Sequence, residues 1–274
     1  MLLGYNTNGF AHHDLFEAIE LLAEIGYRGV AVTIDHGALP PGSAHRDYWI
    51  RRLKETLQRF EMRSVIETGA RFLLDPRKKH EPTLLSADSS RRIEFYKHAV
   101  DCAAELGSDC VSLWSGILHE PISREEAIER LAGGLSEVLD YAAAKDVAIG
   151  FEPEPGMLID TMDRFGELLD RVDAENLRLT LDVGHLQCLG ETPIADVIDR
   201  WGSRIVNLHI EDMRRGTHEH LMFGEGQIDF PPVLQALAAS PYDGPLYVEL
   251  SRHSHEAPTA ARRAFEFLDA ASGL

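Results

Sequence analysis

Strand-like and helix-like segments alternate along this whole chain, and few folds accept that order. LLGYN at 2–6 leads into DLFEAIELLAEIG at 14–26, where Leu15, Ile19, Leu22 and Ile25 recur at helical spacing and Gly26 can close the helix. Further strand runs are GVAVTID at 29–35, RSVIETG at 63–69, DCVSLWSG at 109–116, VAIGFEPEPG at 147–156, LRLTLDVGH at 177–185, RIVNLHIED at 204–212 and GPLYVELS at 244–251. Helical patterns lie around Tyr48 to Phe60, Ser90 to Leu106, Arg124 to Ala144 and Asp163 to Val172. Runs such as VAIGF and LRLTL are apolar on both faces, as buried parallel strands are. An open doubly wound sheet shares this alternation, but usually carries a glycine-rich phosphate loop after its first strand, and none stands here. The pattern predicts an α/β protein: one domain over 1–274, folded as a single (β/α)8 TIM barrel with a parallel eight-stranded core, a fold that commonly takes about 250 residues.

Charge narrows the partners. With 45 acidic against 27 basic side chains, the formal net charge of -18 opposes nucleic acid and anionic membrane surfaces. No apolar stretch approaches the roughly 20 residues needed to cross a bilayer, and MLLGYNTNGFAHHD lacks the marks of a secretion signal. Cys102, Cys110 and Cys188 are scattered, odd in number and without CxxC spacing, so reduced core thiols of a cytoplasmic protein are expected.

Four side chains end strand runs: Glu152, Asp182, His209 and Glu249. Strand ends of a barrel meet at one mouth, so the four should converge there. One strand-end acid is often a helix cap, and one histidine often a hydrogen-bonded core residue. Several acids crowded together would repel one another, and a bound cation removes that conflict. Three carboxylates and one imidazole suit a hard divalent ion, Mn²⁺ or Mg²⁺, better than Zn²⁺.

The order of an acid, LDVGH at 181–185, HIED at 209–212, GEGQIDF at 224–230 and VEL at 248–250 resembles the xylose-isomerase-like TIM-barrel superfamily over essentially the whole chain. That superfamily holds sugar isomerases, 3-epimerases, inosose and dehydroshikimate dehydratases and apurinic-site endonucleases. The resemblance implies that Glu152, Asp182, His209 and Glu249 are the metal quartet, that His185 is a substrate or second-metal ligand, and that Arg215 touches substrate. It further implies that Glu152 and Glu249 are an acid/base pair, one removing a proton beside a carbonyl and the other returning a proton on the opposite face. It makes a homodimer or homotetramer the expected assembly.

His218 and His220 stand where the endonuclease branch carries ligands for an additional zinc, and with His185 they would make a second metal site; a loop contacting water or substrate is the alternative. That branch also has histidines after its third and fourth strands, where this chain has Glu67 and Trp114, so a complete three-zinc cluster is not expected. Glu67 and Trp114 count instead as substrate contacts. The long loop 71–88 carries Arg77, Lys78, Lys79 and His80, the densest basic cluster; Lys79 could grip a substrate phosphate or carboxylate, or the run could simply be solvated. His12, His13, His36 and Phe72 also follow strand ends, and His253 and His255 follow the eighth strand.

The chemistry expected is that of a divalent-metal-dependent isomerase or epimerase acting on a small sugar, sugar phosphate or cyclitol through an enediolate. A dehydratase on the same scaffold and a zinc-dependent phosphoester hydrolase are the alternatives.

Overall fold

The computed structural model describes residues 1–272; the last two positions of the expected 1–274 domain, Gly273 and Leu274, lie outside the described residues. Eight parallel strands close a barrel: β1 (Leu3–Asn6), β2 (Gly29–Thr33), β3 (Arg63–Glu67), β4 (Val111–Trp114), β5 (Ile149–Glu152), β6 (Leu177–Asp182), β7 (Ile205–Ile210) and, after a hairpin of β8 (Asp212–Arg214) with β9 (Thr217–Leu221), β10 (Leu246–Val248). Closure comes from β10, which pairs with β1 on one side and β7 on the other. The helices among the described residues are α1 (Leu15–Ile25), α2 (Arg46–Arg59), α3 (Ser90–Leu106), α4 (Arg124–Ala143), α5 (Met162–Arg171), α6 (Val183–Leu189), α7 (Ile194–Trp201), α8 (Phe230–Ala239) and α9 (Ala257–Ser272). No described helix is long and apolar enough to cross a membrane. The three cysteines are free and buried.

Local chemistry starts these helices where it is needed. Asp14 caps α1 by accepting from the Phe16 and Glu17 amides, and Ser123 caps α4 by accepting from Glu126 N–H. α2 and α3, by contrast, start without a side-chain cap. Between barrel and helices lies a continuous apolar layer that includes Ile19, Leu22, Phe95, Leu131, Phe165 and Leu268, all 2% exposed or less.

Because side chains alternate along a strand, every second residue faces the barrel interior. Below the mouth that interior is filled by Ala31, Val65, Cys110 and Tyr247. One level up the residues are polar: Thr180 Oγ1 donates to Ser112 Oγ at 3.1 Å, and Asn207 Nδ2 donates to Glu67 Oε1 at 2.9 Å. The next inward positions toward the mouth include Glu152, Asp182 and His209. The strand period alone thus delivers one ring of ionisable groups.

Observed boundaries differ from the expected runs mainly at strand C-termini. LRLTLDVGH divides after Asp182, because the Asp182 carboxylate accepts from His185 N–H at 2.8 Å and starts α6. RIVNLHIED divides at Glu211 between β7 and β8. Glu249 stands one residue beyond β10 instead of ending it, its amide donating to Ile210 O at 3.3 Å. The segment carrying His218 and His220 is no plain loop but β9 of the antiparallel hairpin.

Candidate metal centre and active site

His209 organises the mouth of the barrel. Its Nδ1 lies 3.1 Å from Glu152 Oε1, 2.9 Å from Glu249 Oε2 and 3.8 Å from Asp182 Oδ2. One ligand atom from each of Glu152, Asp182, His209 and Glu249 falls within 4.8 Å of the other three. Asp182 divides its oxygens: one caps α6, while the other, Oδ2, is buried with no hydrogen-bond partner among the described residues. An unpaired buried carboxylate oxygen aimed into a group of further ligands is what a cation seat requires, so the four residues fit a divalent ion.

Electrostatics points the same way. Burial pushes Glu152 up to about 7, against the opposing pull of His209. Burial also acts to raise Glu249, but the adjacent His209 charge prevails and holds that carboxyl well below the usual carboxylate range. Burial disfavours the His209 cation, yet Glu67, Glu249 and Glu152 together raise it well above an ordinary imidazole. The crowded acids stabilise the positive charge of His209, and a metal ion would supply more.

Glu67 sits beneath this group. Its Oε1 is 2.9 Å from His209 Nε2, and it is 6% exposed. With Nε2–H assigned as donor to the carboxylate, Nδ1 is the nitrogen turned to the cluster, and it would offer its lone pair to an ion on losing its proton. Glu67 lines the cavity as expected, but its hydrogen bonding is spent on His209 and Asn207.

A second group adjoins the first. His185 Nδ1–H donates to Pro153 O at 3.2 Å, leaving a bare Nε2 that faces His218 Nε2 at 3.1 Å. Burial holds His185 down to about 4, so it is neutral. His220 packs against both other rings. Behind it lies Glu211, fully buried, with neither carboxylate oxygen hydrogen-bonded among the described residues and Oε1 3.8 Å from His220 Nδ1.

The cavity over these groups holds about 520 Å³, and Trp114 and Lys79 line it as expected. Arg215 does not. It is exposed on the hairpin turn, its amide donates to Gln227 Oε1 and its guanidinium lies over Gly190, so the turn geometry carries it away from the mouth. The basic run of the long loop also divides: Lys79 and His80 line this cavity, Lys78 lines a neighbouring groove, and Lys79 borders both. His13 and His36 line a smaller adjoining pocket with Asn8 and Arg71; Phe72 is 47% exposed. Neither His12, His253 nor His255 is among the described residues lining either cavity.

The family model described as Xylose isomerase-like TIM barrel matches residues 19–271. This chain belongs to that family. Relatives include an uncharacterized protein of Methanocaldococcus jannaschii, 30% identical over 91% of this chain and 83% of that protein. The inosose dehydratase of Lacticaseibacillus casei is 29% identical over 57% of this chain and 58% of that enzyme, so the likeness spans little more than half of each. An L-ribulose-5-phosphate 3-epimerase of Escherichia coli is 21% identical over 89% of this chain and 84% of that enzyme. Among solved structures, a D-tagatose 3-epimerase-like protein superposes with a TM-score of 0.78 at 23% identity, covering 98% of this chain and 99% of its own. The IOLI protein, solved with a bound zinc atom, gives 0.78 at 22% identity, covering 100% and 98%. At these identities the structures speak for the fold.

Two motifs of this xylose isomerase-like chain gain a physical reading. Asp212 of HIED is buried and accepts four amides, from Met213, Gly224, Gly226 and Ile228, at 2.9 to 3.1 Å. A Cβ on Gly226 would lie 2.1 Å from Asp212 Oδ1, which explains the second glycine of GEGQ. A Cβ on Gly184 of LDVGH would lie 1.9 Å from Glu211 Oε1. Glu211 and Asn8, which donates to Glu249 Oε1 at 2.8 Å, had no sequence signal beyond standing near strand ends.

Proposed function

We propose that this protein is a divalent-metal-dependent isomerase or epimerase of a small carbohydrate or cyclitol, working by proton removal beside a carbonyl. The observation that carries this reading is the placement of Glu152, at the end of β5, and Glu249, just past β10, against one nitrogen of His209 on β7. Glu152, Asp182, His209 and Glu249 would hold the ion, Mn²⁺ or Mg²⁺ by donor type, with Zn²⁺ kept in the set by the zinc of the IOLI neighbour. When bound, it polarises the substrate carbonyl as a Lewis acid.

The chain's own groups do the rest. One of the two glutamates takes the proton from the carbon beside the carbonyl and the other returns a proton on the opposite face, general acid–base steps contributing on the order of 10²- to 10⁴-fold each. Asn8 fixes Glu249 through its 2.8 Å hydrogen bond. Trp114, Lys79 and His185 line the space a sugar would fill, and a buried aromatic face suits a sugar's apolar side. If the deprotonated substrate expels a β-hydroxyl instead, the outcome is dehydration, the reaction named for the inosose dehydratase relatives.

The test is solvent exchange. Ketoses, ketose phosphates and inososes incubated with metal-loaded protein in D₂O should show deuterium entering at the carbon beside the carbonyl, with enone absorbance marking dehydration. Glu152→Gln and Glu249→Gln should each keep the fold and abolish exchange. Full exchange in both variants sinks the two-glutamate mechanism.

A second reading is favoured by one observation: His185 Nε2 and His218 Nε2 face each other at 3.1 Å, with His220 alongside. Those three imidazoles suit a second cation such as Zn²⁺, which would admit phosphoester hydrolysis. Absence of nicking on abasic DNA together with absence of phosphate release from small esters would dispose of it.

A further inference from the structure

The floor of the cavity is acidic, and its loops add cations as well as the acid Glu154. Three cations line the same space, Arg71, Lys79 and Arg252, in a chain whose net charge is -18. They come from the loops after β3 and β10, while the ligand cluster lies below them at the strand ends. Nothing in a neutral sugar calls for that arrangement.

The loop after β3 is built to hold its cations in place. Arg92 of α3 is fully buried, and its guanidinium donates to Thr68 O at 3.3 Å, His80 O at 2.5 Å and Pro82 O at 2.7 Å, tying the start and the middle of the loop to the helix. His80 N–H donates to Arg71 O at 2.5 Å, and its ring hydrogen-bonds Gly69 O. Ala70, Arg71 and His80 all adopt positive φ, of 60°, 36° and 66°, a conformation that costs non-glycine residues energy and persists where the surroundings enforce it. Arg71 is thereby set over the mouth, with Nη2 donating to Asn8 O at 3.3 Å, and Asn8 is the residue that holds Glu249.

These cations are only partly spent. Arg71 has Asp35 at 3.6 Å, a loose pair that leaves guanidinium donors free. Arg252 has Glu219 at 3.0 Å and is 61% exposed. Lys79 makes no ion pair among the described residues. A planar carboxylate is satisfied by one bidentate arginine, whereas a tetrahedral dianion has three oxygens diverging from its bridge and suits several donors from different directions.

We propose that the substrate carries a phosphate monoester at the end remote from the four-ligand cluster, held by Arg71, Lys79 and Arg252. This deepens the carbohydrate reading above and rests on it for the rest of the substrate. The cavity of about 520 Å³ accommodates a sugar phosphate with its carbonyl end low and its phosphate at the rim.

The experiment is calorimetric titration of inorganic phosphate into the full-length, metal-loaded protein and into a Lys79→Met/Arg252→Met double variant. Both side chains are exposed, so their removal leaves the core intact. Phosphate should bind the parent protein, and affinity should fall by about tenfold or more in the double variant, the scale of losing two charge-assisted contacts. Equal affinity in both proteins would place phosphate on the metal alone and overturn the proposal, as would no binding at all. Acetate binding more tightly than phosphate would also overturn it, in favour of a carboxylate-bearing substrate. Binding is read without turnover, so a failure of proton exchange on every sugar would count against the reaction class and not against this anion seat.

Discussion

Glu67 holds His209 from below, its Oε1 2.9 Å from the ring Nε2, so that the opposite nitrogen faces Glu152 and Glu249. An outer carboxylate that fixes the tautomer and raises the basicity of a ligating imidazole contributes strongly to metal affinity. Glu67→Gln should therefore keep the fold and weaken binding of the divalent ion by roughly 10- to 100-fold. A chelator-competition titration measures it, and unchanged affinity would remove Glu67 from the metal site.

Metal loading should depend on pH in a defined direction. Glu152 is pushed up to about 7 and His209 is held protonated well above its usual range, yet both must be deprotonated to act as ligands. As pH falls through about 7, protons compete for Glu152 as well as His209, so apparent affinity should drop more steeply below pH 7 than above it. Calorimetry in buffers of different ionisation enthalpy counts the protons released. A flat profile from pH 6 to 8 would contradict the assignment of these two groups as ligands.

His218→Ala/His220→Ala should separate the two clusters. Elemental analysis of gently purified, chelator-free protein is expected to show the ion of the Glu152, Asp182, His209 and Glu249 group unaffected by the pair of substitutions. If the parent carries a second ion, the variant should lose that one alone. Loss of all metal would mean that the histidines belong to one shared site.

Asp212→Ala should be among the most destabilising changes outside the apolar core. Four buried or partly buried amides lose their acceptor at once, and hydrogen bonds to a charged group are each worth about 1.5–3 kcal/mol, with incomplete additivity reducing the sum. A loss of about 3 kcal/mol in denaturant unfolding is expected. Retained stability would mean that the hairpin of β8 and β9 closes without this carboxylate.

Much of this architecture was legible in the amino-acid order. Alternation of apolar runs with helical spacing leaves a parallel barrel as the economical solution, and acids at the ends of its strands must then meet, because closure brings every strand end to one rim. Glu152, Asp182, His209 and Glu249 could be found for that reason: each lies at or next to a strand end, so local pattern and global position coincide.

What the tertiary structure alone decided are the relationships between residues far apart in the chain. Glu67 read as a substrate contact but is committed to His209, 142 positions away, because β3 and β7 face each other across the barrel interior. Arg215 read as a substrate contact but is turned outward by a two-stranded hairpin too short and polar to announce itself in the sequence. Glu211 of HIED carried no reading of its own from the sequence, and the fold places it in full burial against Gly184 and His220. Sequence periodicity fixes which face a side chain takes on its own strand or helix, but which partner it meets depends on closure of the barrel and on loop paths, and no local spacing encodes these.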